Sequence, residues 1–97
     1  MFLALNPQPL LGKSFNVAVS GTSANLPLES SKLYRVISTT DCYIKLAKAA
    51  VAATSADILL PAKTPMYLIS SYWNQINVVQ LSAGGTLGVT ECQTPSL

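Results

Sequence analysis

The 97-residue sequence contains no histidine, and only 10% of it is charged, against roughly 25% in an average soluble domain. The missing imidazole removes Ser-His-Asp and Cys-His nucleophilic catalysis and every zinc site that uses a His ligand. Basic excess is missing too: six Lys and Arg against four Asp and Glu leave a net charge of +2, where nucleic-acid-binding domains carry a clustered positive charge. Cysteine is scarce. Cys42 and Cys92 do not complete a tetrahedral metal site by themselves. They read as buried thiols acting as small hydrophobes, with a disulfide as the alternative open to an oxidising compartment.

Long apolar runs are also absent. Residues 64–90 carry no charge, yet Ser70, Ser71, Asn74, Gln75, Asn77, Gln80 and Ser82 interrupt them far short of the roughly 18 residues a membrane span needs. Met1 to Leu5 is apolar, but no basic residue precedes it and Asn6-Pro7-Gln8-Pro9 ends it. A secretory signal has a basic start and a longer apolar core, so none is expected. Disorder is excluded as well: it combines low hydrophobicity with high net charge, and 49% of this chain is apolar.

What remains in place of charge is hydroxyl and amide. Ser, Thr, Asn and Gln together number 28. The four carboxylates, Glu29, Asp41, Asp57 and Glu91, lie at separate turns and strand ends, with no spacing that pairs them as glycosidase chemistry requires. Asp41 reads as a turn former and Asp57 as the start of a strand. Gly84, Gly85 and Gly88 lack the Lys-Ser/Thr sequel and the helix of a phosphate loop. The expectation is therefore no catalytic residue, no metal, no cofactor and no small-molecule substrate.

Periodicity supplies the architecture. Residues 1–13 read as an extended N-terminal arm, since Pro7, Pro9 and Gly12 oppose regular structure while Phe2, Leu3, Leu5, Leu10 and Leu11 offer apolar side chains. Such an arm docks either on its own core or on a neighbour. From Ser14 the apolar residues alternate, with Phe15, Val17 and Val19 on one face of a strand. The segment from Gly21 to Asn25 ends it, and 26–31 reads as an extended link. Strands follow at 33–38 and 42–46, joined by the Thr39-Thr40-Asp41 turn as a predicted hairpin. Further strands fall at 57–60, 66–70, 76–81 and 86–92. Ser82-Ala83-Gly84-Gly85 reads as a hairpin connection with glycine supplying positive φ.

Residues 47–56 (AKAAVAATSA) have helical propensity but lie between strands, so a short helix and an irregular loop both stay open. Residues 93–97 read as a loose tail. About seven short antiparallel strands with turns every 8 to 12 residues predict an all-β fold, a small β-sandwich or jelly-roll-like barrel over 14–92.

Tyr34, Tyr43, Tyr67, Tyr72 and Trp73 lie near Arg35, Lys45, Lys48 and Lys63. A small barrel with stacking aromatics and cations can hold single-stranded nucleic acid. Core and interface packing is the other use of such aromatics, and so few cations favour it.

One order of segments carries more. Tyr34-Arg35-Val36 precedes a hairpin and the Ala/Thr-rich stretch 52–57. Leu59-Leu60-Pro61-Ala62 with Pro65 comes next, then Ile76-Asn77-Val78-Val79, then residues 84–90 (GGTLGVT). Over residues 14–92 this order resembles small all-β virion proteins of tailed bacteriophages, of the capsid decoration or cement type. The resemblance implies a β-sandwich, often trimeric, seated on the capsid surface against the major capsid protein, after synthesis in the host cytoplasm. It implies no enzymatic activity. A neck, tail or head-fibre component is the neighbouring assignment, since one sandwich serves them all. On this reading Phe2, Leu3 and Leu5 anchor the arm, and Tyr72 and Trp73 form an interface hot spot. The alternative for Trp73 is a loop aromatic covering its own core.

Overall fold

Alternating apolar and polar residues fold as strands throughout the computed structural model, which describes residues 8–70 and 73–93. Eight strands form: β1 Gln8–Val19, β2 Ala24–Pro27, β3 Leu33–Ser38, β4 Cys42–Ala47, β5 Ile58–Leu60, β6 Met66–Ile69, β7 Gln75–Gln80 and β8 Gly85–Gln93. They make two four-stranded sheets, ordered β1-β8-β3-β6 and β2-β7-β4-β5, with every pairing antiparallel. Every connection except β4–β5 passes from one sheet to the other. That is jelly-roll topology, an all-β sandwich that shortens its exposed edges by folding two sheets over each other.

The core lies between the sheets. Tyr34, Val36, Leu87 and Val89 of the first sheet face Ile44, Leu60, Ile76 and Val78 of the second, all essentially inaccessible to water. Each such side chain contributes about 1.5–3 kcal/mol by leaving water. Cys42 joins this core and Cys92 is buried near the end of β8; both are free thiols. Burial pushes the Cys42 thiol above its ordinary value of 9.0, a bond from Ser38 opposing the shift.

Several expectations are corrected. The segment read as the end of the first strand and an extended link contains β2, pairing Ala24 to Pro27 with Val78 to Gln75. Three of its four residues, Ala24, Asn25 and Pro27, are types depleted in strands, so its β signal is weak. The two expected hairpins are not hairpins: β3 and β4 lie in different sheets, as do β7 and β8. Local sequence looks the same for a tight hairpin and for a corner between stacked sheets. Gly84 and Gly85 adopt no left-handed φ; a Cβ on Gly85 would run into Thr39 Oγ1 and lie 2.8 Å from Thr40 Cγ2. Close approach, not turn geometry, requires glycine there. Among the described residues, the non-glycine residues with left-handed backbone are Ser31 (φ 60°) and Lys63 (φ 59°).

Residues 48–57 form no helix. Six residues of the segment assigned to the arm belong instead to β1, which begins at Gln8. Pairing with β8 shifts between Pro9, opposite Cys92, and Ser14, opposite Thr90. A proline is tolerated there because β1 is an edge strand and the ladder is already irregular.

Candidate assembly surfaces

The outer face of the second sheet is closed by its own chain. Asn77, on β7, is buried although it points away from the core. Its Oδ1 accepts hydrogen bonds from Asn25 Nδ2 at 3.1 Å and from the Val51 amide at 3.2 Å. Its Nδ2 donates to the carbonyls of Lys45 at 3.3 Å and Ala49 at 3.5 Å. Asn25 Nδ2 also donates to Gln75 Oε1 at 2.9 Å. These bonds, with the Ala53 amide donating to Ser23 Oγ at 2.9 Å, strap the 48–56 loop across the sheet. A buried amide satisfied on both ends explains why this Ala-rich stretch is a loop despite its helical propensity.

The two aspartates are likewise engaged in local structure. Asp57 Oδ2 accepts from the Thr54 amide at 2.7 Å, and its Oδ1 lies 3.8 Å from Lys45 Nζ. Asp41 Oδ1 accepts from the Ala62 amide at 2.7 Å, tying the β3–β4 corner to the β5–β6 connection. Among the described residues no three of Cys, Asp and Glu come together as a metal cluster would need.

Accessible apolar side chains lie elsewhere. The strand-borne ones are Phe15, Ile58, Leu59, Tyr67 and Ile69. All of them sit on β1, β5 or β6, which are sheet edges. The inner strands β3, β4, β7 and β8 expose no large apolar residue among those described. Neither β5 (ILL) nor β6 (MYLI) carries a charged residue, although lysine or an inward charge is the usual protection of an open edge.

Two features stand out on this surface. On the outer face of the first sheet, Tyr67 and Ile69 project beside Arg35, whose register partner is Tyr67. The Arg35 Nε is buried without an acceptor among the described residues. Between the sheets, near β1 and β2, a groove of about 310 Å³ is lined by Phe15, Pro27, Leu28, Glu29, Tyr34 and Glu91. Phe15 faces the core yet stays 43% exposed, because the β1 ladder departs from β8 opposite Glu91 and leaves the sandwich open there. The Glu29 backbone is held firmly: its amide donates to Tyr34 Oη at 3.0 Å and its carbonyl accepts from Ser70 Oγ at 2.6 Å. Burial raises the Tyr34 hydroxyl above its ordinary value of 10.0, with the backbone bond at Glu29 opposing and the nearby Glu91 and Glu29 carboxylates adding to it.

Of the interface residues expected from sequence, Phe2, Leu3, Leu5 and Tyr72 lie outside the described residues. Trp73 is 5% exposed and packs in the chain's own core. Sequence reasoning missed the edge residues because alternation says which face a residue takes, not whether its strand is central or peripheral.

No family model matches the chain, and no curated protein matches it. A solved structure of Bacillus endospore appendages, from a family of disulfide-linked pili, matches over 99% of this chain and 97% of that one, with a TM-score of 0.51 and 15% identity. At that identity the likeness establishes the shared fold. No helix among the described residues is long and apolar enough to cross a membrane.

Proposed function

We propose that this chain is a non-enzymatic structural subunit that associates with copies of itself through the edges of its sandwich. One observation carries the reading: the exposed large apolar residues on strands are confined to edge strands, and two of those edges lack any charge. An uncharged edge with protruding Ile, Leu and Tyr is an open template for another chain, and a protein that keeps one has it covered in its working state. The sparse charge of the whole sequence agrees, since like-charge repulsion opposes crowding of identical copies.

The resemblance of its segment order to tailed-phage virion proteins supports one particle: the surface of a phage head, where trimers of the chain sit against the major capsid protein as decoration, in the virion. Residues 1–7 would then reach a neighbour through Phe2, Leu3 and Leu5. The likeness to an endospore pilus favours a second reading, a fibre made of this chain alone. The disulfide linkage of those pili does not carry over, because Cys42 and Cys92 are both buried.

Sedimentation velocity of the pure chain over a concentration series tests self-association, and Ile69→Lys, at an exposed position, should shift it toward monomer without lowering the melting temperature. A wild-type chain that stays monomeric, or an Ile69→Lys chain that assembles normally, contradicts the edge reading. Electron microscopy separates fibres from discrete oligomers, and copy number per major capsid protein in purified particles tests the phage-head assignment.

A further inference from the structure

The groove and the Arg35 face carry opposite charge beside apolar side chains. The groove is concave, and four of its lining residues are Phe15, Pro27, Leu28 and Tyr34. Its remaining lining residues, Glu29 and Glu91, are acids, and no cation lines it. Among the described residues the ion pair formed is Lys45 with Asp57, so neither of these carboxylates is neutralised there. The Arg35 face has the opposite character. Tyr67 and Ile69 stand out from the sheet at 47% and 60% exposure, and opposite Tyr67 Arg35 holds a buried Nε with no acceptor among the described residues. A buried unmet donor marks a side chain whose hydrogen bonding is incomplete, and Arg35 is partly exposed with no ion pair among the described residues, so the outer nitrogens of its guanidinium can meet a carboxylate.

We propose that the groove of one copy receives the Tyr67–Ile69 edge of a second copy, with Arg35 of that second copy meeting the Glu29 carboxylate. This pairing rests on the self-association reading above and names its contacts. The two surfaces are different patches of the same chain, so the contact is heterologous: each copy can accept one neighbour and insert into another, and the assembly closes as a ring or runs on as a fibre. Glu29 suits the role because Tyr34 and Ser70 fix its backbone while its side chain remains exposed. With the backbone already fixed, pairing has only the Glu29 side chain to order. A volume near 310 Å³ is at the small end of side-chain and ligand pockets, about 300 Å³ upward.

A charge swap on the full chain tests it, with circular dichroism melts showing that each variant folds. Sedimentation velocity should find self-association weakened about tenfold or more in Glu29→Arg and in Arg35→Glu. The double variant Glu29→Arg/Arg35→Glu should recover most of the loss. Ile69→Asp, at a 60% exposed position, should weaken association by a similar factor and guards against misfolding of the Arg35 variant. An assembling wild type whose single variants behave like it, or whose double variant shows no recovery, overturns the pairing while leaving self-association standing. Assembly lost on deletion of residues 1–7 but insensitive to the charge variants also overturns it, and gives the groove to the N-terminal segment. A wild-type chain monomeric to about 1 mM, the weak end of affinity, overturns the self-association reading and this pairing with it.

Discussion

Single residues show how little of this surface is spare. Trp73 is an aromatic in a polar loop context, and its sequence neighbours suggest exposure, yet it is 5% exposed and part of the core. Trp73→Ala should therefore lower the stability of the monomer by about 3–5 kcal/mol, read as a fall in the urea midpoint at concentrations too low for assembly. The ionisable core residues add a pH dependence. Tyr34 and Cys42 both titrate higher in the fold than their ordinary values of 10.0 and 9.0. A group raised on folding supports the native state fully below its unfolded value, and that support is lost as pH rises through the folded value. Stability should be level between about pH 7 and 9 and fall above that, measured by urea denaturation across the series. In Tyr34→Phe the starting stability drops by about 1 kcal/mol for the lost hydroxyl bonds, and the alkaline fall becomes shallower.

At the scale of elements, the corners and the strapped loop are the vulnerable joints. The β7–β8 connection passes so close to the β3–β4 corner that Gly85 has no room for a Cβ beside Thr39 and Thr40, and Thr39 Oγ1 accepts from the Thr86 amide at 2.9 Å. Gly85→Ala should cost about 1–3 kcal/mol by overpacking. Gly21→Ala, whose Cβ meets nothing closer than 3.6 Å, should change the melting temperature little and serves as the control. Asn77→Ala removes the acceptor for the Val51 amide. It should cost about 1–3 kcal/mol and speed hydrogen exchange at residues 49–53 ahead of the rest of the chain. The strands β3–β8 and the second half of β1, from Ser14, were legible in the sequence because Val, Ile and aromatic alternation is strong there, whereas Pro9 and Gly12 hid the first half of β1. β2 was not, since Ala24-Asn25-Leu26-Pro27 pairs through its backbone and carries little side-chain preference. The loop at 48–56 was ambiguous because the residue that decides it, Asn77, lies far away in the chain.

For the whole molecule, the sandwich has a closed face and open edges. The loop at 48–56 is strapped across the second sheet's outer face, so the apolar surface left open on strands lies at the edges. Both cysteines are buried, so the native chain should resist thiol reagents that label both sites once it is denatured. Assembly should accordingly be unchanged by a reducing agent in sedimentation velocity, and a strong loss on reduction would contradict the arrangement. Electrostatic pairing at Glu29 and Arg35 should make association weaker at high salt, though only partly, because the apolar edge contacts are not screened.

Composition and periodicity, by themselves, determined the all-β class, the positions of most strands and the absence of histidine chemistry, because each follows from residue type and spacing along the chain, and they left a sandwich and a barrel both open. Tertiary structure decided which strands are edges, which turns are corners between sheets and why Trp73 is core. It also decided that Phe15, Glu29 and Glu91 border one groove while Arg35, Tyr67 and Ile69 share a face. Those facts depend on which segments lie side by side, and a jelly roll sets that by crossing between sheets at nearly every turn, a pattern of long-range pairing that no local window of sequence contains.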